Sequence, residues 1–124
     1  MQTHEVPREQ WKEFFEDFSR RHAGWLARVV VVGESLGAQV EARGLGLQGV
    51  FYESDRNAIT LLLEKGPSDH IEHPVRAPHR AWVEVSEDRS EAALEIEALD
   101  GTKTILELRA PPMKDEDRLL KWPP

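Results

Sequence analysis

The sequence predicts an α+β fold, with an N-terminal amphipathic helix packed on a strongly curved antiparallel sheet or a partly open small β-barrel. Three observations predict it. Trp11, Phe14, Phe15, Phe18 and His22 recur along one stripe of a 3.6-residue repeat. From Trp25 onward the hydrophobic period changes to two. Glycines then recur through the strand-like run 45–52, and glycine inside a strand marks a bulge, a sharp bend or a close backbone approach.

The helix is expected over 7–22. Pro7 suits its first position, where a missing N–H costs nothing and φ is already set. Lys12, Glu13, Glu16, Asp17, Arg20 and Arg21 form the polar face, with Glu16–Arg20 and Asp17–Arg21 as i, i+4 pairs in the favourable order. Gly24 stands where a left-handed residue ends a helix. His22, at the C-terminal end of the apolar side, reads as a structural histidine bonded to a backbone carbonyl, and its imidazolium would favour that helix end.

Residues 25–32 are apolar on both faces apart from Arg28, which predicts a central or covered strand. A turn follows at 33–37. Residues 39–43 alternate as a half-exposed strand, and 45–52 continue as a strongly bent one. Asp55-Arg56-Asn57 turns the chain into an apolar strand at 58–64, broken by Lys65-Gly66-Pro67-Ser68. Residues 70–75 are extended, and Pro74, which cannot donate to a ladder, puts them at an edge or bulge. After Ala77-Pro78, residues 80–85 return with Ala81, Val83 and Val85 on one face. The last hairpin can be registered from its pattern. A three-residue loop at Leu99-Asp100-Gly101, with Gly101 left-handed, sets Ala98 against Thr102, Glu97 against Lys103, Ile96 against Thr104 and Leu94 against Leu106. A one-residue slip would mix the faces. One domain is therefore expected over 1–110, with a Pro-rich tail at 111–124 whose Leu119, Leu120 and Trp122 suit either a short docked helix or a loose extension. The expected core is Trp11, Phe15, Phe18, Val29, Val31, Leu61, Leu63, Val83, Leu94, Ile96, Leu106 and Leu108.

The chain has 124 residues, 31% of them charged, a formal net charge of −7 and no cysteine. Without cysteine there are no disulfides, thiolate metal sites or cysteine nucleophiles, and a reducing compartment is consistent. No window approaches the about 20 apolar residues of a membrane-spanning helix. The N-terminus lacks a basic and an apolar region of the secretory type, so a cytoplasmic location is expected. Between 84 and 100, Glu84, Glu87, Asp88, Glu91, Glu95, Glu97 and Asp100 face Arg89 alone. That composition argues against a nucleic-acid or membrane surface, where affinity comes from Lys and Arg.

The cluster Asp69-His70-Ile71-Glu72-His73, with His79 nearby, is the one stretch that suits metal or acid–base chemistry. On an extended chain His70 and Glu72 share one face while Ile71 and His73 take the other. The spacing fits no zinc motif, and Pro74 forbids the helix that a His-Glu-x-x-His site needs. A polar edge strand that discourages edge-to-edge pairing is the plainer role. Ser19, Ser35, Ser68, Ser86 and Ser90 lie in no Gly-x-Ser-x-Gly elbow. Gly44-x-Gly46-x-x-Gly49 spells the dinucleotide fingerprint but lies in strand-like sequence with no helix after it. Arg76, His79, Arg80 and Trp82 form a basic–aromatic stretch that would stack on single-stranded bases, opposed by the acidic hairpin that follows.

Pro7-Arg8-x-x-Trp11 with Phe15 and Phe18, His22-x-Gly24-Trp25, Leu47-x-Gly49, and Ile96-Glu97 with Asp100-Gly101-Thr102-x-Thr104 resemble a small bacterial family, the domain of unknown function 5335. The resemblance covers roughly 4–110, with the tail beyond it. It implies a bacterial protein and assigns no activity, so no functional residue is carried over. By layout alone the chain is also similar to Sm-like and SH3-like barrels, an analogy that does not fix function.

The expectation is a non-enzymatic binding or assembly module acting through a protein partner or self-association, with no cofactor, no metal, no membrane contact and no identified small molecule. The alternatives are a metal-binding protein or enzyme using His70, Glu72, His73 and His79, and a nucleic-acid binder using Arg76, Arg80 and Trp82.

Overall fold

The computed structural model describes residues 2–33 and 37–111. The expected 33–37 turn lies partly, and the tail almost entirely, outside them. In chain order the elements are β1 (Gln2–Glu5), a single 3-10 turn (Arg8–Gln10), α1 (Trp11–His22), β2 (Leu26–Gly33), β3 (Gly37–Glu53), β4 (Ala58–Gly66), β5 (Asp69–Arg76), β6 (Pro78–Val85), β7 (Glu91–Ala98) and β8 (Lys103–Arg109). The eight strands form one antiparallel sheet in the order β1-β6-β7-β8-β2-β3-β4-β5.

The sheet is open, since β1 and β5 end it and do not pair with each other. It is nonetheless forced to curl. β5 is the last strand in space and β6 the second, yet Ala77 alone separates them in sequence. A one-residue link cannot span a flat sheet of this width, because a residue reaches at most about 3.6 Å and each strand adds about 4.8 Å. Ala77 makes this corner at φ +49°. Its N–H donates to Asn57 (3.0 Å), and its carbonyl accepts from the Leu99 N–H (2.9 Å).

The expected helix is divided. The first turn is 3-10, with Pro7 preceding it at ψ 142°, and the α-helix begins at Trp11. Gly24 is left-handed (φ +81°) as expected, but its N–H goes to the carbonyl of Leu47 (2.8 Å) instead of back into the helix. Arg21 pairs with Asp17 at 2.9 Å; Arg20 also reaches Asp17 (3.3 Å), not Glu16. β1 has no counterpart in the sequence reading. Four polar-leaning residues show no period, and β1 is fixed from outside, by Glu5 on Arg80 and by the Val6 N–H on Ala81 (2.8 Å).

β3 is the longest strand, and it bends three times. Its register slips at Glu41 and Gly44 against β2 and at Gln48 against β4. Gly44 supplies the positive φ (+73°) that its bulge requires. Residues 37–46 pair with β2, whereas 46–53 pair with β4. β3 therefore changes partner at Gly46, and each half has one side that faces no strand. Along the second half that side is covered. The Leu47 N–H donates to Trp25 (2.9 Å), and the Val50 N–H donates to Ser19 Oγ of α1 (2.7 Å).

The helix drives Trp11, Phe15 and Phe18 into one continuous core with Val29, Leu47, Val50, Ile59, Leu61, Leu63, Leu94, Ile96, Leu106 and Leu108. Each such side chain contributes about 1.5–3 kcal/mol by leaving water. Trp11 donates through Nε1 to the Val6 carbonyl (2.9 Å) and meets Tyr52 edge-on at 5.2 Å. Of the expected core, Val31 and Val83 are only partly buried, while Leu47, Val50 and Ile59 join it from the bent strand and its neighbour. The last hairpin has the expected register, with Leu94 opposite Leu106, Ile96 opposite Thr104, Glu97 opposite Lys103, and Gly101 at φ +89°.

Candidate functional site

The histidine-rich segment forms edge strand β5, as Pro74 requires. Its register places His70 opposite Glu64, Glu72 opposite Leu62 and Arg76 opposite Ala58 on the outer face. His73, opposite Leu61, faces the core side, half-buried. Burial pushes the His73 imidazole below its ordinary range, and the nearby Glu41 carboxylate opposes that shift. His79 is the bulged residue of β6, between the pairs Pro78–Ala98 and Arg80–Glu97. The strand pleat thus divides the cluster between two faces and a second strand. Among the described residues, no three His, Cys, Asp or Glu side chains are grouped so as to hold a metal ion.

The basic–aromatic stretch is also dispersed. Arg80 donates to Glu5 through Nε (3.1 Å) and an Nη (2.6 Å), and its guanidinium lies 4.9 Å from the Trp82 ring centre. The bond from Arg80 holds the Glu5 carboxyl below the usual range, and Glu5 raises Arg80 in turn. This pair clamps β1 onto β6. Trp82 sits half-buried on the outer face, opposite Glu5 and Glu95, not in the core. Arg76 lies on β5, outside this pair.

His22 takes the structural role expected of it. Nδ1 lies 2.8 Å from the Phe18 carbonyl, and the ring packs between Phe18 (4.2 Å) and Trp25 (4.6 Å). Its protonation does not follow the helix-end expectation. Burial depresses its pKa more than the carbonyl raises it, because desolvating a cation outweighs one neutral acceptor.

Two surfaces remain that the sequence did not single out. The first is the open half of β3. Residues 37–43 pair with β2 alone, and Val40 is 43% exposed at its centre. Of the strand edges, β5 carries Pro74 and charges and β1 is four residues long, whereas 37–43 has neither proline nor lysine. The signal available in the sequence was the glycine spacing, which predicts the bend but not the change of partner.

The second is a cavity of about 490 Å³ lined by residues of β2, β7 and β8 together with Gly44 of β3. Ala93 and Gly44 are its small residues, and Arg28, Arg109, Glu91 and Glu107 supply its charge, while Ala27, Ala92 and Leu108 of its lining are core residues only 2–3% exposed. Arg28 is 3.6 Å from Glu107, and Arg109 is 3.8 Å from Glu91. These side chains meet only through cross-strand register, which spacing along the chain does not reveal.

The profile of the Family of unknown function (DUF5335) matches residues 2–117, so the chain belongs to that family. The match runs past 110 and takes in part of the tail, beyond the 4–110 over which the resemblance is expected. An uncharacterised protein of Aquifex aeolicus (strain VF5) is 27% identical over 109 residues, covering 88% of this chain and 94% of the relative. No solved structure matches. No helix among the described residues is long and apolar enough to cross a membrane.

Proposed function

We propose that this member of DUF5335 is a non-enzymatic assembly module that docks an extended strand, in the first instance a second copy of itself, along the open half of β3. The observation that carries the reading is the half-paired strand. Residues 37–43 present backbone donors and acceptors on a side that faces no strand among the described residues. An edge of this kind is a template for strand addition.

The residues on that edge suit self-pairing. Two antiparallel copies centred on Val40 place Val40 against Val40, Ala38 against Ala42, Gln39 against Glu41 and Gly37 against Arg43 of the second copy. No like charges face each other, and the exposed Val40 gains an apolar neighbour. The Glu41 bulge keeps the ladder short, so the association is weak and concentration-dependent. The separation of His70, Glu72, His73 and His79 onto different faces and strands supports the non-enzymatic part.

Light scattering over a concentration series tests this. Apparent mass should rise from monomer toward dimer, and Val40→Lys should hold it at the monomer while leaving the circular dichroism unchanged. A wild-type mass that stays monomeric to millimolar concentration overturns the reading.

A further inference from the structure

We infer that the strand that best completes the open edge of β3 is an acidic–apolar segment of another protein, with a carboxylate facing Arg43 and an apolar side chain facing Val40. The inference rests on the strand-docking reading and names the chemistry of what docks.

Two cross-strand rows of outer-face side chains run to that edge and stop there. In one, Ile105 of β8 lies opposite Val30 of β2, and Val30 lies opposite Val40 of β3. Val30, flanked on both sides, is 8% exposed, whereas Val40 at the end of the row is 43% exposed. In the other row, Glu107 lies opposite Arg28, and Arg28 lies opposite Arg43. Arg28 has Glu107 at 3.6 Å, but Arg43 is exposed and makes no ion pair among the described residues. Glu41, the one acid within 37–43, lies near His73 instead. Like charges directly opposite each other repel. The charged row therefore ends in two adjacent cations, and the vacant place beside Arg43 is the one an added strand would occupy.

A second copy does not complete this row. Self-pairing centred on Val40 brings Gly37 to Arg43, and glycine carries no charge. A different strand can complete both rows at once, and β2 sets the spacing it needs. Arg28 and Val30 are two residues apart, because the bulge at Glu41 absorbs the extra residue of β3. A regular strand laid antiparallel on β3 meets Arg43 before Val40. It therefore carries Asp or Glu first, any residue next, and a β-branched apolar residue third. The backbone ladder gives affinity common to any strand, and the carboxylate adds the preference.

The test is a titration of the dilute ¹⁵N-labelled full chain with the capped peptide Thr-Glu-Thr-Val-Thr-Val-Thr, and with the same peptide carrying Gln in place of Glu, at low salt. Saturable amide shifts within 37–43 are expected from both. The Glu peptide should bind about threefold tighter, as one cross-strand ion pair allows. Arg43→Gln, at an exposed strand position, should abolish that preference and still bind the Gln peptide. Equal affinity for the two peptides, or a preference that survives Arg43→Gln, overturns the acidic partner and leaves strand docking standing. Absence of saturable shifts from both peptides overturns strand docking itself, and the inference with it.

Discussion

Ser19 Oγ of the helix accepts a hydrogen bond from the Val50 N–H of β3 at 2.7 Å. Its own proton lies within reach of the carbonyls of Phe15 (2.7 Å) and Val50 (3.0 Å). One hydroxyl thus stands where a neighbouring strand would otherwise supply a donor and an acceptor. Ser19→Ala leaves the buried Val50 N–H without a partner and should cost about 1–3 kcal/mol. Urea denaturation should show a lower midpoint with an unchanged slope.

The same crossing explains Gly49. A Cβ there would lie 2.5 Å from Phe51 Cζ and 3.3 Å from Ser19 Oγ. The Phe51 ring lies across the bare glycine, and the helix approaches from beside it. Gly49→Ala should therefore push the exposed Phe51 ring aside and destabilise by about 0.5–1.5 kcal/mol, the cost of an off-rotamer side chain. Replacing Phe51 by Leu in the same chain should recover part of that loss in thermal melts, because the ring is the nearer obstacle.

How much of this was legible in the sequence depends on the range of the interaction. The Leu94–Leu106 hairpin register follows from alternation and one glycine, both local, and the structure has it as read. Trp11, Phe15 and Phe18 announce their core face by spacing alone. β1 does not, because Glu5 is held by Arg80, 75 residues away. The division of β3 at Gly46 is likewise invisible, since it depends on where β2 ends and β4 begins in space. The histidine cluster shows the opposite case. Its residues are adjacent in sequence, and the pleat sends His73 to one face and His70 and Glu72 to the other.

Acid should weaken the fold in two stages. His22 and His73 both have pKa values below the ordinary 6.5, each through burial. The unfolded chain therefore binds their protons first, and stability falls as pH drops below about 6.5. Glu5, Asp88 and Asp100 are shifted below ordinary carboxylates by bonds from Arg80, Ser90 and Thr102. Their contribution is full above the unfolded values and is lost as pH falls through the lowered ones. Urea midpoints from pH 8 to 3 should show a decline beginning near neutrality and a second below about 4. His22→Gln should reduce the first decline and leave the second.

The hairpin turn gives a control away from the helix. Gly101 is left-handed at φ +89°, and Asp100 accepts from the Thr102 N–H at 2.9 Å. Gly101→Ala should cost about 1–2 kcal/mol through backbone strain alone. Calorimetry should register it as a lower melting temperature, with the concentration dependence of mass unaffected.

Residue-resolved hydrogen exchange along β3 tests the two-part strand most directly. In dilute solution the Leu47 and Val50 amides, covered by Trp25 and Ser19, should exchange slowly. Alternate amides in 37–43 should exchange quickly and become protected as concentration rises. Uniform protection from 37 to 53 in a dilute monomer, or fast exchange at Val50, would contradict the account.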